Sequence, residues 1–120
     1  MKRVLIWLMV AVTALTMAFP SFGADQSNPL IIDVRTEAEW NAGHIEGAVL
    51  IPYESIGAKI EAVTKDRSKR IYVYCRSGRR SQIAKTSLDK LGYKDIVNLG
   101  SHEDAARKMR LRIVKLIKSP

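Results

Sequence analysis

From Leu30 to Val34 the chain reads Leu-Ile-Ile-Asp-Val, short, β-branched and apolar on both faces, the pattern of a strand buried inside a parallel sheet. Thr36 and Glu39 follow at capping-box spacing and predict a short helix, with Trp40 as its buried anchor and Gly43 as its stop. Ala48 to Ile51 predicts a second strand, ended by Pro52. From Ser55 to Val63 the apolar residues Ile56, Ile60 and Val63 share one helical stripe. The charged stretch from Lys65 to Arg70 reads as a surface connection, and Ile71 to Tyr74 as a third strand with Cys75 at its carboxyl end.

Ile83, Ala84, Leu88 and Leu91 give a helix from about Arg80 to Leu91, closed by Gly92. Asp95 to Leu99 predicts a fourth strand. Ser101 and Asp104 again stand at capping spacing and open a last helix. Its continuation from Ala105 to Ile117 places Ala105, Met109, Ile113, Leu116 and Ile117 on one face, with Arg107, Lys108, Arg112 and Lys115 largely opposite. Strands alternating with helices at short connections predict an α/β fold: a small, mainly parallel sheet of four to five strands with helices on both faces.

The first residues do not belong to that pattern. Lys2 and Arg3 precede an uncharged run from Val4 to Phe19, then Pro20-Ser21-Phe22-Gly23-Ala24. Basic, apolar and small-residue segments in that order predict a signal peptide over residues 1–23, cleaved before Ala24, and a single domain over residues 24–120. The competing expectation is an uncleaved membrane anchor, since Val4 to Ala24 approaches the roughly 20 residues that span a bilayer. The strongly apolar part is shorter than that and a small-residue site follows it, which favours removal. Export points to the bacterial periplasm.

The formal charge is +8, or +6 without Lys2 and Arg3. Such a surplus suits nucleic acid, an anionic membrane surface or small anions. Export argues against nucleic acid. The cations cluster in two places, around Cys75 and from Arg107 to Lys118. The second cluster, as a basic amphipathic helix, can lie on a membrane surface or grip a partner. The simpler expectation is that its apolar face packs on the sheet. No cofactor and no metal are expected, because His44, His102 and one cysteine make no ligand spacing.

Cys75 is the only cysteine, so it can form no internal disulfide and has no second thiol to resolve one. It opens the stretch Cys75-Arg76-Ser77-Gly78-Arg79-Arg80, at the carboxyl end of a strand and the start of a helix, where parallel sheets bind ligands. Free amides at a helix N-terminus suit an anion. The amides, the helix dipole and the three arginines all favour a thiolate, and comparable surroundings lower a cysteine pKa from ~8.5 to roughly 3.5–7.5. Gly78 permits the positive φ that turns successive amides inward, and Ser77 adds a hydroxyl. Against this stands a buried structural thiol in a solvated turn, although so cationic a turn is a poor place to bury anything.

These residues resemble the active-site loop of rhodanese-domain sulfurtransferases. A second block agrees: Asp33 to Pro52 is similar to that family's Asp-x-Arg turn followed by Gly-His-Ile-x-Gly-Ala and a strand ending in Ile-Pro. Leu91-Gly92-Tyr93 and Asn98-Leu99-Gly100 fit as well. The chain looks most like the small exported single-domain type. It departs from the family where Gly100-Ser101-His102-Glu103 stands in place of a Gly-Gly-x-x-x-Trp segment.

The resemblance implies that the Cys75 thiolate takes the outer sulfur of thiosulfate or a similar sulfane donor, and passes it as a persulfide to cyanide or a thiol. Arg76, Ser77, Gly78, Arg79 and Arg80 would hold the substrate, with Arg76 at the pocket rim. Asp33 and Arg35 would brace the first strand's end, and His44 would pack or hydrogen-bond rather than act as a base. A monomer is expected. The alternatives are a persulfide carrier, a non-catalytic binding module, and a cysteine-dependent phosphatase or arsenate reductase. The last class carries an arginine six positions after the cysteine, where this chain has Ser81.

Overall fold

The computed structural model of the protein describes residues 29–116. The expected signal peptide, its cleavage site and Ile117 lie outside the described residues. The elements are β1 (Leu30–Asp33), α1 (Glu37–Ala42), β2 (His44–Ile45), β3 (Val49–Leu50), α2 (Ile56–Val63), β4 (Ile71–Cys75), α3 (Arg79–Lys90), β5 (Ile96–Ser101), α4 (His102–Met109) and β6 (Ile113–Val114).

Four strands form a parallel sheet in the order β3-β1-β4-β5. β4 therefore lies inside, paired with β1 from Leu30↔Ile71 to Asp33↔Tyr74 and with β5 up to Cys75↔Ser101. The pairing with β5 shifts register between Val73↔Asn98 and Cys75↔Ser101, where β5 carries one extra residue.

Strand alternation sends successive residues to opposite faces, and each face carries a core. On one, Ile32, Val34, Ile71, Val73 and Cys75 pack with Ile56 and Ile60 of α2 and Ala84 and Leu88 of α3. On the other, Ile31 and Tyr74 pack with Ile45, Leu99 and Ala105 of α4. This is the expected α/β architecture with helices on both faces.

The helix limits follow from local chemistry. Thr36 and Glu39 form a complete capping box at the start of α1. α3 ends in a Schellman arrangement, with Gly92 N–H bonded to Asp89 O and Tyr93 N–H to Leu88 O. The left-handed φ of +92° at Gly92 makes that reversal inexpensive for glycine. Ser101 caps α4 by accepting from the Asp104 N–H.

Several expectations are corrected. Trp40 is only half-buried, and α1 contains no buried residue. The ring stacks on His44 with centroids 3.5 Å apart, forming a partly exposed aromatic pair. Val63, Ile83 and Leu91 are exposed, so the stripes on α2 and α3 are narrower than their apolar periodicity. The expected helix from Ala105 to Ile117 stops at Met109, where Arg110 takes φ +58° and the Leu111 N–H caps Ala106 O. The chain then returns as β6, antiparallel to β2 in the register His44↔Val114 and Ile45↔Ile113. Arg112 joins this ribbon to Glu46 at 2.8 Å. The continuous basic helical face therefore does not exist.

Candidate active site

Cys75 is delivered by β4, one of the two inner strands, so its Cα is held between neighbours on both sides. Its loop runs over Arg76, Ser77 and Gly78 into α3. Gly78 caps that helix at φ +98°, a left-handed conformation that side chains with a Cβ adopt at a cost. The turn brings the Gly78 N–H within 2.9 Å of Cys75 Sγ.

The sulfur has no solvent exposure, contrary to the expectation that so cationic a turn would leave it open. Burial pushes the thiol pKa up. That effect is outweighed by the Ser81 hydroxyl and by the backbone N–H groups of Ser81, Gly78 and Ser77, so the net direction is down. The leading stabilisers are thus neutral dipoles aimed at the sulfur, and the arginines are not among them.

Ser81 links the sulfur to the rest of the sheet. Its Oγ lies 3.5 Å from Sγ, 2.6 Å from Asn98 Oδ1 and 3.1 Å from Gly78 O. Asn98 in β5 is fixed in turn, since its Nδ2 donates to Gly78 O at 3.0 Å and its Oδ1 accepts from the Gly100 N–H at 2.9 Å. One hydroxyl proton cannot serve three acceptors at once. With a neutral thiol it satisfies Asn98; with a thiolate, the anion competes for it.

The three arginines diverge. Arg76 is exposed and lines a cavity of about 390 Å³ with Arg35, Glu39, Gly43, His102 and Glu103. Arg79 lies on the outer side of α3, in a separate hollow with Ile83 and Lys90. Arg80 crosses to α1 and grips Glu39 with two nitrogens, at 2.8 and 3.0 Å. Hydrogen bonding from Arg80, helped by Thr36 and opposed by burial, brings the Glu39 carboxyl down to about 2.

Asp33 and Arg35 form a buried pair at the end of β1. Arg35 Nη2 lies 2.7 Å from Asp33 Oδ2 and 2.6 Å from Gly43 O, while Nε reaches Asp33 Oδ1 at 2.9 Å. Burial works against the Arg35 charge, but the Asp33 carboxylate more than offsets it and the arginine pKa is raised. Tyr74, next to Cys75, lies beneath this guanidinium and accepts from the Ile45 N–H at 3.0 Å. His44 Nδ1 donates to Trp40 O at 2.8 Å. Asp33, Arg35 and His44 therefore belong to the frame around the loop.

Sequence reasoning gave the side chains of Glu39, Ser81 and Asn98 no role at the site. Glu39 was accounted for by its capping box, which is real and left its second partner unsuspected. Asn98 did carry a signal, as the polar residue within Ile96-Val97-Asn98-Leu99. Among the described residues no cluster of histidine, cysteine and carboxylate side chains is arranged to hold a metal ion.

A parallel sheet with a cysteine at the carboxyl end of an inner strand, under a cradle of amides, is shared by several families of cysteine-loop proteins, and comparison with known proteins specifies which. The profile of the rhodanese-like domain matches residues 23–103, and the chain belongs to that family. It is 33% identical over 93 residues to thiosulfate sulfurtransferase PspE of Escherichia coli, covering 78% of this chain and 86% of that one. A sulfurtransferase of Allochromatium vinosum is 38% identical over 76 residues, which are 63% of this chain and 69% of that protein. A solved rhodanese with anions from E. coli superposes with a TM-score of 0.67 at 32% identity, over 73% of this chain and 99% of that one. Sulfur transfer is the activity these relatives' names share.

Proposed function

We propose that the protein is a thiosulfate sulfurtransferase that carries the transferred sulfur as a persulfide on Cys75. The observation that carries this reading is the amide and hydroxyl cradle, which lowers the Cys75 pKa although the sulfur is buried. The names of the relatives add support for thiosulfate as the donor.

The Cys75 thiolate attacks the outer sulfur of thiosulfate. A bond forms between the two sulfurs, the bond to the sulfonate sulfur breaks, and its electron pair leaves with sulfite. The persulfide carries the negative charge that the thiolate brought in, now one atom further out. Gly78, Ser77 and Ser81 supply donors for that charge without reorganising. Cyanide or a thiolate then attacks the outer sulfur and restores the Cys75 thiolate. Two displacements through one covalent intermediate require ping-pong kinetics.

Arg76 and the amides of Ser77 and Gly78 are the substrate-side groups in this reading. Arg80 supports the loop through Glu39, and Arg79 adds positive potential from the outer side of α3. The phosphatase alternative has little support, because position 81 supplies a buried serine where that class needs an arginine. A periplasmic location rests on the N-terminal sequence pattern. Among the described residues no helix is long and apolar enough to cross a membrane.

The test is intact mass after exposure to thiosulfate and removal of the reagent. The expected result is a gain of one sulfur atom that cyanide removes and that Cys75→Ser lacks. An unchanged wild-type mass together with rapid hydrolysis of an aryl phosphate would place the protein in the phosphatase class instead.

A further inference from the structure

The cavity beside Arg76 contains a second group that neither the fold nor the loop motif requires. Cys75 and Ser101 are register partners on β4 and β5. Arg76 and His102 are the next residues along two paired strands that run about 4.8 Å apart. They therefore leave the sheet side by side, and both line the cavity.

The state of the His102 ring follows from its surroundings. Nδ1 is buried and has no hydrogen-bond partner. A proton there would be an orphaned buried donor, which is rarer and costlier than an unused acceptor lone pair. The neutral ring accordingly carries its proton on Nε2. That atom lies 3.6 Å from Glu103 Oε2, beyond hydrogen-bond length, and leaves the N–H unspent.

Arg76 makes no ion pair among the described residues. The other charged groups of the cavity are committed elsewhere: Arg35 to Asp33 and Glu39 to Arg80. Glu103, the one remaining carboxylate, is largely exposed and screened by water. Two unspent donors on neighbouring strand ends match a group with several acceptor oxygens.

We propose that this cavity holds the sulfonate end of a sulfane donor, with Arg76 and the His102 Nε2–H donating to its oxygens. The inference rests on the reading of Cys75 as the nucleophile and thiosulfate as its donor, and deepens it by assigning His102 as the residue that selects donors ending in a sulfur oxyanion. As Cys75 Sγ takes the outer sulfur, the breaking bond's electron pair passes to the sulfonate sulfur, and sulfite departs with the charge that thiosulfate carried. Arg76 and His102 hold the leaving group through that step, while the loop amides hold the sulfur that stays.

The experiment compares two donors, thiosulfate and inorganic polysulfide, which supplies sulfane sulfur without an oxyanion. Loading of Cys75 is followed by intact mass in the wild type, His102→Ala and His102→Gln, with the thermal midpoint as a check on folding. His102→Ala is expected to raise the KM for thiosulfate by roughly tenfold, about what one hydrogen bond to a charged group contributes. Loading from polysulfide stays at the wild-type rate, and His102→Gln, which restores an N–H, recovers most of the thiosulfate affinity. An unchanged thiosulfate KM in a folded His102→Ala overturns the inference. So does an equal loss with both donors. A wild type that takes sulfur from neither donor overturns the persulfide reading as well, and is told apart by the unmodified enzyme alone.

Discussion

At Cys75 two opposing influences meet, and their balance sets the acidity of the thiol. Burial of a thiol raises its pKa by several units in an apolar pocket. Here the pocket is lined by donors, and the donors win. Alkylation of Cys75 by a small neutral reagent should therefore rise with pH through a midpoint below that of the same thiol in the unfolded chain. Ser81→Ala removes the largest stabilising contribution and should move that midpoint upward. Rates measured across pH 5–10 in the two proteins decide the matter, and a midpoint that Ser81→Ala leaves in place would remove the hydroxyl from the account.

The position of Cys75 was legible because it depends on local facts: an apolar strand, then a glycine two residues before a helical stripe. Arg76 was expected at the pocket rim, but where Arg79 and Arg80 lead was not legible. Each is set by what lies opposite in space, and Glu39, which claims Arg80, is 41 residues away.

The elements around the loop are joined by ion pairs of different worth. The Asp33–Arg35 pair is buried, with 0% and 3% of the side chains exposed, so removing one charge leaves the other stranded. Arg35→Met should cost about 3–5 kcal/mol in urea unfolding. Adding Asp33→Leu should recover part of that loss, because the stranded carboxylate goes with it. A double variant no more stable than Arg35→Met would mean that the bond to Gly43 O, and not the charge pair, carries the effect.

The Arg80–Glu39 pair is about a quarter exposed and is worth less. Its pH dependence has a definite sign. The Glu39 carboxyl titrates lower in the folded chain than in the unfolded one, so its contribution is complete above pH ~4.5 and is lost as pH falls toward 2. Screening by water holds the amount to about 1 kcal/mol. Glu39→Gln should accordingly be less stable than wild type at pH 6 and indistinguishable from it near pH 2. Equal destabilisation at both values would show that the side chain acts by packing.

Element type was largely readable along the chain, and the exception is instructive. Ala105 to Ile117 has apolar residues at helical spacing, yet the helix ends at Met109 because Ile113 and Val114 find a better partner in His44 and Ile45. Helical periodicity over so few turns does not exclude an extended pair, and nothing local announces a two-residue strand. Arg110 at positive φ lacks the glycine that commonly marks such a stop.

Over the whole molecule, the sheet order places the reactive position on an inner strand and leaves the two cores to opposite faces. The parallel sheet with helices on both faces was contained in the doubly apolar Leu30 to Val34 and the strand and helix alternation, but the strand order that puts Cys75 on an inner strand was not. What the pattern did not contain was the narrowness of the buried stripes. In a domain this small, helices meet the sheet along one or two turns, so Val63, Ile83 and Leu91 remain at the surface.

The two parts of the site consequently rest on ground of unequal firmness. Cys75 ends a strand flanked on both sides, whereas Glu39 belongs to a six-residue helix with no fully buried residue. Such a helix opens at low free energy, while an inner strand releases its amides only when the domain unfolds. Hydrogen exchange should find the amides of Trp40 to Ala42 exchanging far sooner than those of Ile71 to Tyr74, and comparable rates would contradict this. Each opening of α1 would free Arg80 without disturbing the sulfur, so the cradle can breathe at its rim while its nucleophile stays in place.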